Sequence, residues 1–241
     1  MNTDILAFIA SETRIGDIVA TRPALARLFE ELHLDYCCGG KQTLASASSS
    51  RGLAVETVIA MLGTAVARLE AGSVEVDAAA MSLTALTDHI VRTHHAYLKD
   101  ELPRLVQMAD RVARKHGGRD PRLREIATLT RTLTDEMLNH MYREEQILFP
   151  SVRQIDAGIL DGYNRAIAGP IRQMESEHDD ARRAIARLRE LTGGFSPDQE
   201  TCNTHRALLD GLARFELDLH RYVHKENSIL FPRALERVAA A

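Results

Sequence analysis

Apolar residues recur along this chain three and four positions apart, between Glu, Arg and other polar residues, and the alternation expected of strands is nearly absent. Short Gly, Pro and Ser clusters cut the pattern into segments. In the first third the segments are short. Thr21 reads as the cap of a helix reaching about Leu32, the turn Cys37-Cys38-Gly39-Gly40 comes next, and two more short helices fit near Thr43 to Ser49 and Val55 to Leu69. The weakly patterned stretch from Ser73 to Ser82 marks a domain boundary and divides the chain into 1–75 and 80–241. Four long helices lie beyond it. The first runs from about Leu83 to His116 and stops at Gly117-Gly118, with Pro103 inside it. The second opens at Asp120-Pro121 and ends near Pro150. The third opens near Pro170 and stops at Gly193-Gly194, and the fourth opens at the capping-box sequence Ser196-Pro197-Asp198-Gln199 and passes Leu230. The pattern predicts an all-α chain: an up-down four-helix bundle preceded by a small helical domain.

Composition narrows the function. Thirty basic and 34 acidic residues leave a net charge of -4, which gives no reason to expect nucleic acid or an anionic membrane as partner. No apolar run has the length of about 18 residues that a membrane span needs. Asp4 and the lack of a basic stretch before a long apolar run argue against a signal peptide. Three cysteines, with Cys37 and Cys38 adjacent, make no disulfide framework, so a reducing, cytoplasmic compartment is expected. The unusual balance is ten histidines against no tryptophan.

Three of those histidines go with an internal repeat. Arg143-Glu144-Glu145-Gln146-Ile147-Leu148-Phe149-Pro150 on the second long helix matches Lys225-Glu226-Asn227-Ser228-Ile229-Leu230-Phe231-Pro232 on the fourth, making Glu144 and Glu226 counterparts. His94 lies 50 residues before Glu144, and His178 lies 48 before Glu226. Each helical hairpin thus carries a histidine on its first helix and a carboxylate on its second. His140, four residues before Glu144, shares its helix face. A lone histidine is more often a satisfied surface or core residue, and the Ile-Leu-Phe run is core packing. The recurrence of histidine and carboxylate together is what points to metal. Two carboxylates with histidines on outer positions suit two iron ions in a bundle core. A ferritin-like site needs Glu-x-x-His on two helices, and in the bundle half only Glu175 and His178 fit that spacing, so a hemerythrin-like centre matches better. Glu145, one residue round the helix, is expected to matter much less.

The stretch Asp35-Tyr36-Cys37-Cys38-Gly39-Gly40-Lys41-Gln42-Thr43-Leu44 resembles the N-terminal signature of the iron–sulfur cluster repair di-iron proteins, the repair-of-iron-centres family. The segment around His94 and Glu101-Leu102-Pro103, the stretch Met174 to Asp179 and both glutamate–ILFP segments resemble it too. The resemblance implies a cysteine-bearing N-terminal domain joined to a hemerythrin-like domain. It implies a non-haem di-iron centre with ligands at His94, His140, Glu144, His178 and Glu226. The family's sixth ligand, a histidine four before the last glutamate, is Tyr222 here. A phenolate from Tyr222, a flanking histidine (His220 or His224) on a distorted turn, and an open position all remain. A regular helix favours Tyr222, because His224 needs an irregular turn. Cys37 and Cys38 take a redox or partner-contact role, beside the plainer reading as small buried residues. The implied function is repair of clusters damaged by nitrosative or oxidative stress, by an iron-supplying factor more than a turnover enzyme. Damaged iron–sulfur proteins are the partners, and a homodimer is compatible with the chain. The alternative is binding, sensing or turnover of nitric oxide or oxygen at the same centre. Every implied ligand lies beyond the boundary, so residues from about 80 onward are expected to fold and hold iron alone.

Overall fold

The computed structural model describes residues 8–22, 25–36, 39–69, 77–197 and 201–240. Cys37, Cys38, the start of the Ser73 to Ser82 boundary, and Asp198-Gln199 of the capping box lie outside the described residues. Within them the chain is all-α, with an isolated backbone bridge between Arg14 and Thr43.

Four short helices come first: α1 (Ile15–Thr21), α2 (Ala26–Glu31), α3 (Leu44–Ser50) and α4 (Val55–Leu69). Thr43 caps α3 as its position suggests, its hydroxyl accepting from the Ser46 amide at 3.2 Å. Thr21 does the opposite of what its position suggests. It ends α1, donating back to the Asp17 carbonyl at 2.8 Å, because Pro23 lies two positions on and the residue before a proline disfavours helical geometry.

The long helices come next. α5 (Leu83–Ile90) continues through a π turn (Val91–His95) into α6 (Ala96–His116), so the helix expected from Leu83 to His116 is present with one wide turn. α7 (Arg122–Arg143) continues through a π turn (Glu144–Leu148) into α8 (Phe149–Asp156), six residues beyond Pro150. After the short α9 (Gly162–Arg165) comes α10 (Ala168–Leu191). α11 (Asn203–His224) passes through a third π turn (Lys225–Leu230) into α12 (Phe231–Ala239).

Packing divides the chain into two units: Met1–Leu86 with His220–Ala241, and Thr87–Leu219. The second unit is the bundle. Leu98, Leu102, Leu105, Ala109 and Val112 alternate four and three apart and form one buried stripe of α6. That stripe faces α7, whose Ile126, Leu133 and Met137 are buried, and α7 packs on α10. Arg189 on α10 forms an ion pair with the buried Glu216 on α11, with Nε 2.8 Å from Oε1. Each fully buried Leu of such a core is worth about 1.5–3 kcal/mol. α11 comes close to α6 at Gly211, where a Cβ would lie 2.5 Å from Leu105 Cδ2 and 3.1 Å from Glu101 Oε1.

In the first unit Ile15, Ile18, Leu25, Phe29, Leu44, Val58 and Leu62 form the core. The third π turn packs on α1, where a Cβ at Gly16 would lie 2.9 Å from Ser228 Oγ and 3.0 Å from the Gly40 carbonyl. Arg233 donates to the Ala79 and Met81 carbonyls at 3.3 and 2.8 Å.

This packing has two measurable consequences. Gly211→Ala should cost about 1–3 kcal/mol in denaturant unfolding, by overpacking a close helix approach. Removing residues 1–79 strips the Ser228 turn of Gly16 and Gly40, and leaves Arg233 only the Met81 carbonyl of the two it bonds. Contrary to the expectation from ligand positions alone, that truncated chain should lose helicity by circular dichroism and fail to retain iron.

Candidate metal centre

Glu144 begins the π turn after α7 and has no solvent exposure. Its two carboxylate oxygens face different histidines. Oε1 lies 3.3 Å from Nε2 of His140, one turn earlier on the same helix, and Oε2 lies 3.3 Å from Nε2 of His95, the last residue of the first π turn. His178 on α10 brings its Nε2 to 3.1 Å from that of His140. Ligand atoms of His140, Glu144 and His178 all lie within 4.8 Å of one another.

The outer ring nitrogens fix the role of the inner ones. Nδ1 of His140 is 2.7 Å from Glu177 Oε2, which also accepts from Arg143 at 2.6 Å, while Gln173 donates to Oε1. Nδ1 of His95 is 2.7 Å from Glu145 Oε1, and Lys99 donates to both oxygens of Glu145 at 2.7 and 2.8 Å. Nδ1 keeps its proton for the carboxylate outside, so each Nε2, once it carries no proton of its own, presents a lone pair toward the Glu144 carboxylate. Electron-pair donors facing one another at 3.1–3.3 Å fit a cation between them, since ligands about 2.1 Å from an octahedral metal are about 3.0 Å apart. The donor set of imidazoles and carboxylate suits iron.

The electrostatics agree. Burial pushes Glu144 up, but the charges and hydrogen bonds of His140 and His95 hold it well below the usual carboxylate range. Burial pushes His140 down, but Glu144 and Glu177 outweigh it and raise the imidazole to about 9. Glu145 and Glu177 are lowered against burial, Glu145 chiefly by Lys99 and Glu177 chiefly by His140.

The structure does not treat the adjacent His94 and His95 alike. His94 turns its Nδ1 to Asp218 at 2.8 Å, and His95 is the residue that faces Glu144. Spacing could not separate them, because His95 to Glu145 is also 50 residues. Glu145, given little weight by its place on the helix, bonds the outer nitrogen of His95. In the first unit Tyr222, His224 and Glu226 are all buried. His224 sits edge-on to Tyr36, with ring centroids 5.2 Å apart, and neither of its nitrogens makes a hydrogen bond of good geometry. Burial, then the Lys225 charge, lowers it to about 3, against the nearby Tyr36 backbone, so it is a neutral imidazole. The irregular turn that a ligating His224 needs is present at Lys225–Leu230. Its signal is the proline of each ILFP run. Pro150 and Pro232 have no N–H to donate and crowd the carbonyl four residues back, which a wider turn relieves.

A cavity of about 470 Å³ opens beside His140, lined by Glu136, Tyr142, Arg143, Glu177 and Asp180.

Cation uptake must displace the proton that His140 carries. At neutral pH metal binding should therefore release a proton, and affinity should climb with pH until about 9. In the metal-free protein the same shift stabilises the fold below about 6.5, and that contribution is lost as pH rises through about 9. Calorimetric titration in buffers of differing ionisation enthalpy, with melts from pH 6 to 10, measures both.

Residues 86–234 match the hemerythrin HHE cation binding domain, and residues 11–66 match a domain of unknown function, ScdA_N. The iron-sulfur cluster repair protein YtfE of Musicola paradisiaca is 38% identical over 225 residues, covering 93% of this chain and 96% of the relative. The YtfE proteins of Salmonella paratyphi B and Salmonella newport are 35% identical over 221 residues, covering 92% of this chain and 96% of each relative. With its hemerythrin HHE domain and these full-length relatives, the chain belongs to the YtfE family of iron–sulfur cluster repair proteins.

Proposed function

We propose that this protein holds a non-haem di-iron centre and supplies iron to iron–sulfur clusters damaged by nitrosative or oxidative stress. The observation that carries the reading is the divergence of the Glu144 oxygens. One faces the His140–His178 pair and the other faces His95, which is how a carboxylate bridging two cations is placed. His140 and His178 would then hold one iron and His95 the other, in the place that spacing gave to His94. Glu226, the repeat partner of Glu144 and inside the same family domain, would serve as the second carboxylate ligand. For the sixth position, His224 is favoured over Tyr222, because it is a buried neutral imidazole beside the π turn.

The chain's own groups divide the work. Glu177 and Glu145 hold the Nδ1 protons, Glu144 carries the charge that attracts cations, and the cavity beside His140 admits solvent and small ligands. Bound iron supplies ligand exchange and one-electron chemistry, with nitric oxide or oxygen as small ligands. Every ligand comes from one chain, so a homodimer is not required. Among the described residues no helix is long and apolar enough to cross a membrane, and the damaged partners fit a cytoplasmic setting.

Metal analysis of iron-reconstituted protein should find about two irons per chain. Glu144→Ala and Glu226→Ala should each lose most of that iron. Mixed with a nitric oxide-inactivated iron–sulfur dehydratase and reductant, the loaded protein should restore activity as its own iron falls. A single zinc per chain, or full iron in Glu144→Ala, rejects the centre. Iron retained by the chain with no recovery of the dehydratase rejects donation.

A further inference from the structure

Glu145 and Lys99 lie outside the proposed ligand set, yet they form a chain that reaches it. Lys99 is one turn beyond His95 on α6 and is 45% exposed at its side chain, while Glu145 is 19% exposed. An ion pair of this kind at a surface contributes little, about 0–1 kcal/mol. Two features set this one apart. Glu145 Oε1, one of the oxygens held by Lys99, also accepts from Nδ1 of the fully buried His95. The ring itself is stacked on Phe149, with centroids 5.6 Å apart and planes 16° from parallel. Rotation of the imidazole is blocked by Phe149, and its tautomer is set by Glu145. Arg143, Glu177 and His140 repeat the same order of cation, carboxylate and imidazole on the other side of Glu144. There the carboxylate lines the cavity, whereas Glu145 does not.

We propose that Glu145 and Lys99 are a positioning pair that tunes the His95 half of the centre, Glu145 making the imidazole a richer electron donor and Lys99 limiting how far it does so. This rests on the di-iron reading of the site. A carboxylate on the outer nitrogen raises the basicity of a metal-bound imidazole. A richer donor favours ferric over ferrous iron. A lysine on that carboxylate draws charge away from the ring, so removing one partner or the other moves the metal in opposite directions.

The test is the reduction potential of the iron-loaded full-length protein by spectroelectrochemistry, with iron content and melting temperature measured alongside. Glu145→Gln keeps a carbonyl oxygen to accept from Nδ1 but loses the charge, and should raise the potential at unchanged iron content. Lys99→Met should lower it, and Lys99→Arg should restore the value of the unmodified chain. Shifts of the same sign in Glu145→Gln and Lys99→Met, or no shift in either, overturn the proposal. A chain with two irons and unmoved potentials overturns the positioning pair alone. A chain that binds no iron overturns the centre and this inference together.

Discussion

A carboxylate with no solvent exposure is costly to keep charged, and the charged form survives only where cations or strong hydrogen-bond donors surround it. Glu144 is such a group, and the middle of the bundle is arranged around it. His140 comes from its own helix, His95 from the preceding long helix, and His178 is brought to His140 from α10. In the metal-free protein His140 carries compensating charge, held as an imidazolium above its ordinary range by Glu144 and Glu177. A cation held by the same groups would supply that charge in place of the proton on His140. The site is therefore a buried negative charge waiting for positive charge. Replacing its carboxylate by an apolar residue would remove the reason for the histidines to converge.

The π turns are the backbone's contribution. They interrupt three of the four long helices, at Val91–His95, Glu144–Leu148 and Lys225–Leu230, while α10 has none across Ala168–Leu191. The first ends on His95, the second begins at Glu144 and the third holds Glu226. A π turn inserts one residue into a helix and rotates its C-terminal part relative to its N-terminal part. Adjacent residues can thereby serve different neighbours, as His94 does with Asp218 and His95 with Glu144. In the second and third turns the cause is written in the sequence, because the proline closing each ILFP run cannot complete a regular ladder.

The four long helices were legible because their apolar spacing, glycine stops and the Asp120-Pro121 opening all agree. The repeat singles out Glu144 and His178, and the four-residue spacing to Glu144 adds His140; the structure brings these three together. What escaped was register. A spacing of 50 residues fits His94 with Glu144 and His95 with Glu145 equally well, and only the rotation at Val91–His95 decides between them. Glu145 was undervalued for the related reason that a helical wheel shows which way a residue leaves its own helix and not which buried ring meets it from the next. Thr21 was misassigned because a threonine before an apolar run reads as a cap, and the proline two positions later outweighs it.

The end of the fourth helix adds a constraint that ligand spacing could not express. Up to Leu219 it belongs to the bundle, and from His220 its residues pack in one unit with the N-terminal helices. Within that unit Gly16, Gly40 and Ser228 meet so closely that a Cβ at Gly40 would lie 3.2 Å from the Gly16 Cα and 3.3 Å from Ser228 Oγ. Tyr36, next to the cysteine pair in sequence, lies against the rings of both His220 and His224. The short helices therefore grip the stretch that carries Tyr222, His224 and Glu226. In a chain built this way the N-terminal helices set the geometry of the last turns of the fourth long helix, where Tyr222, His224 and Glu226 sit.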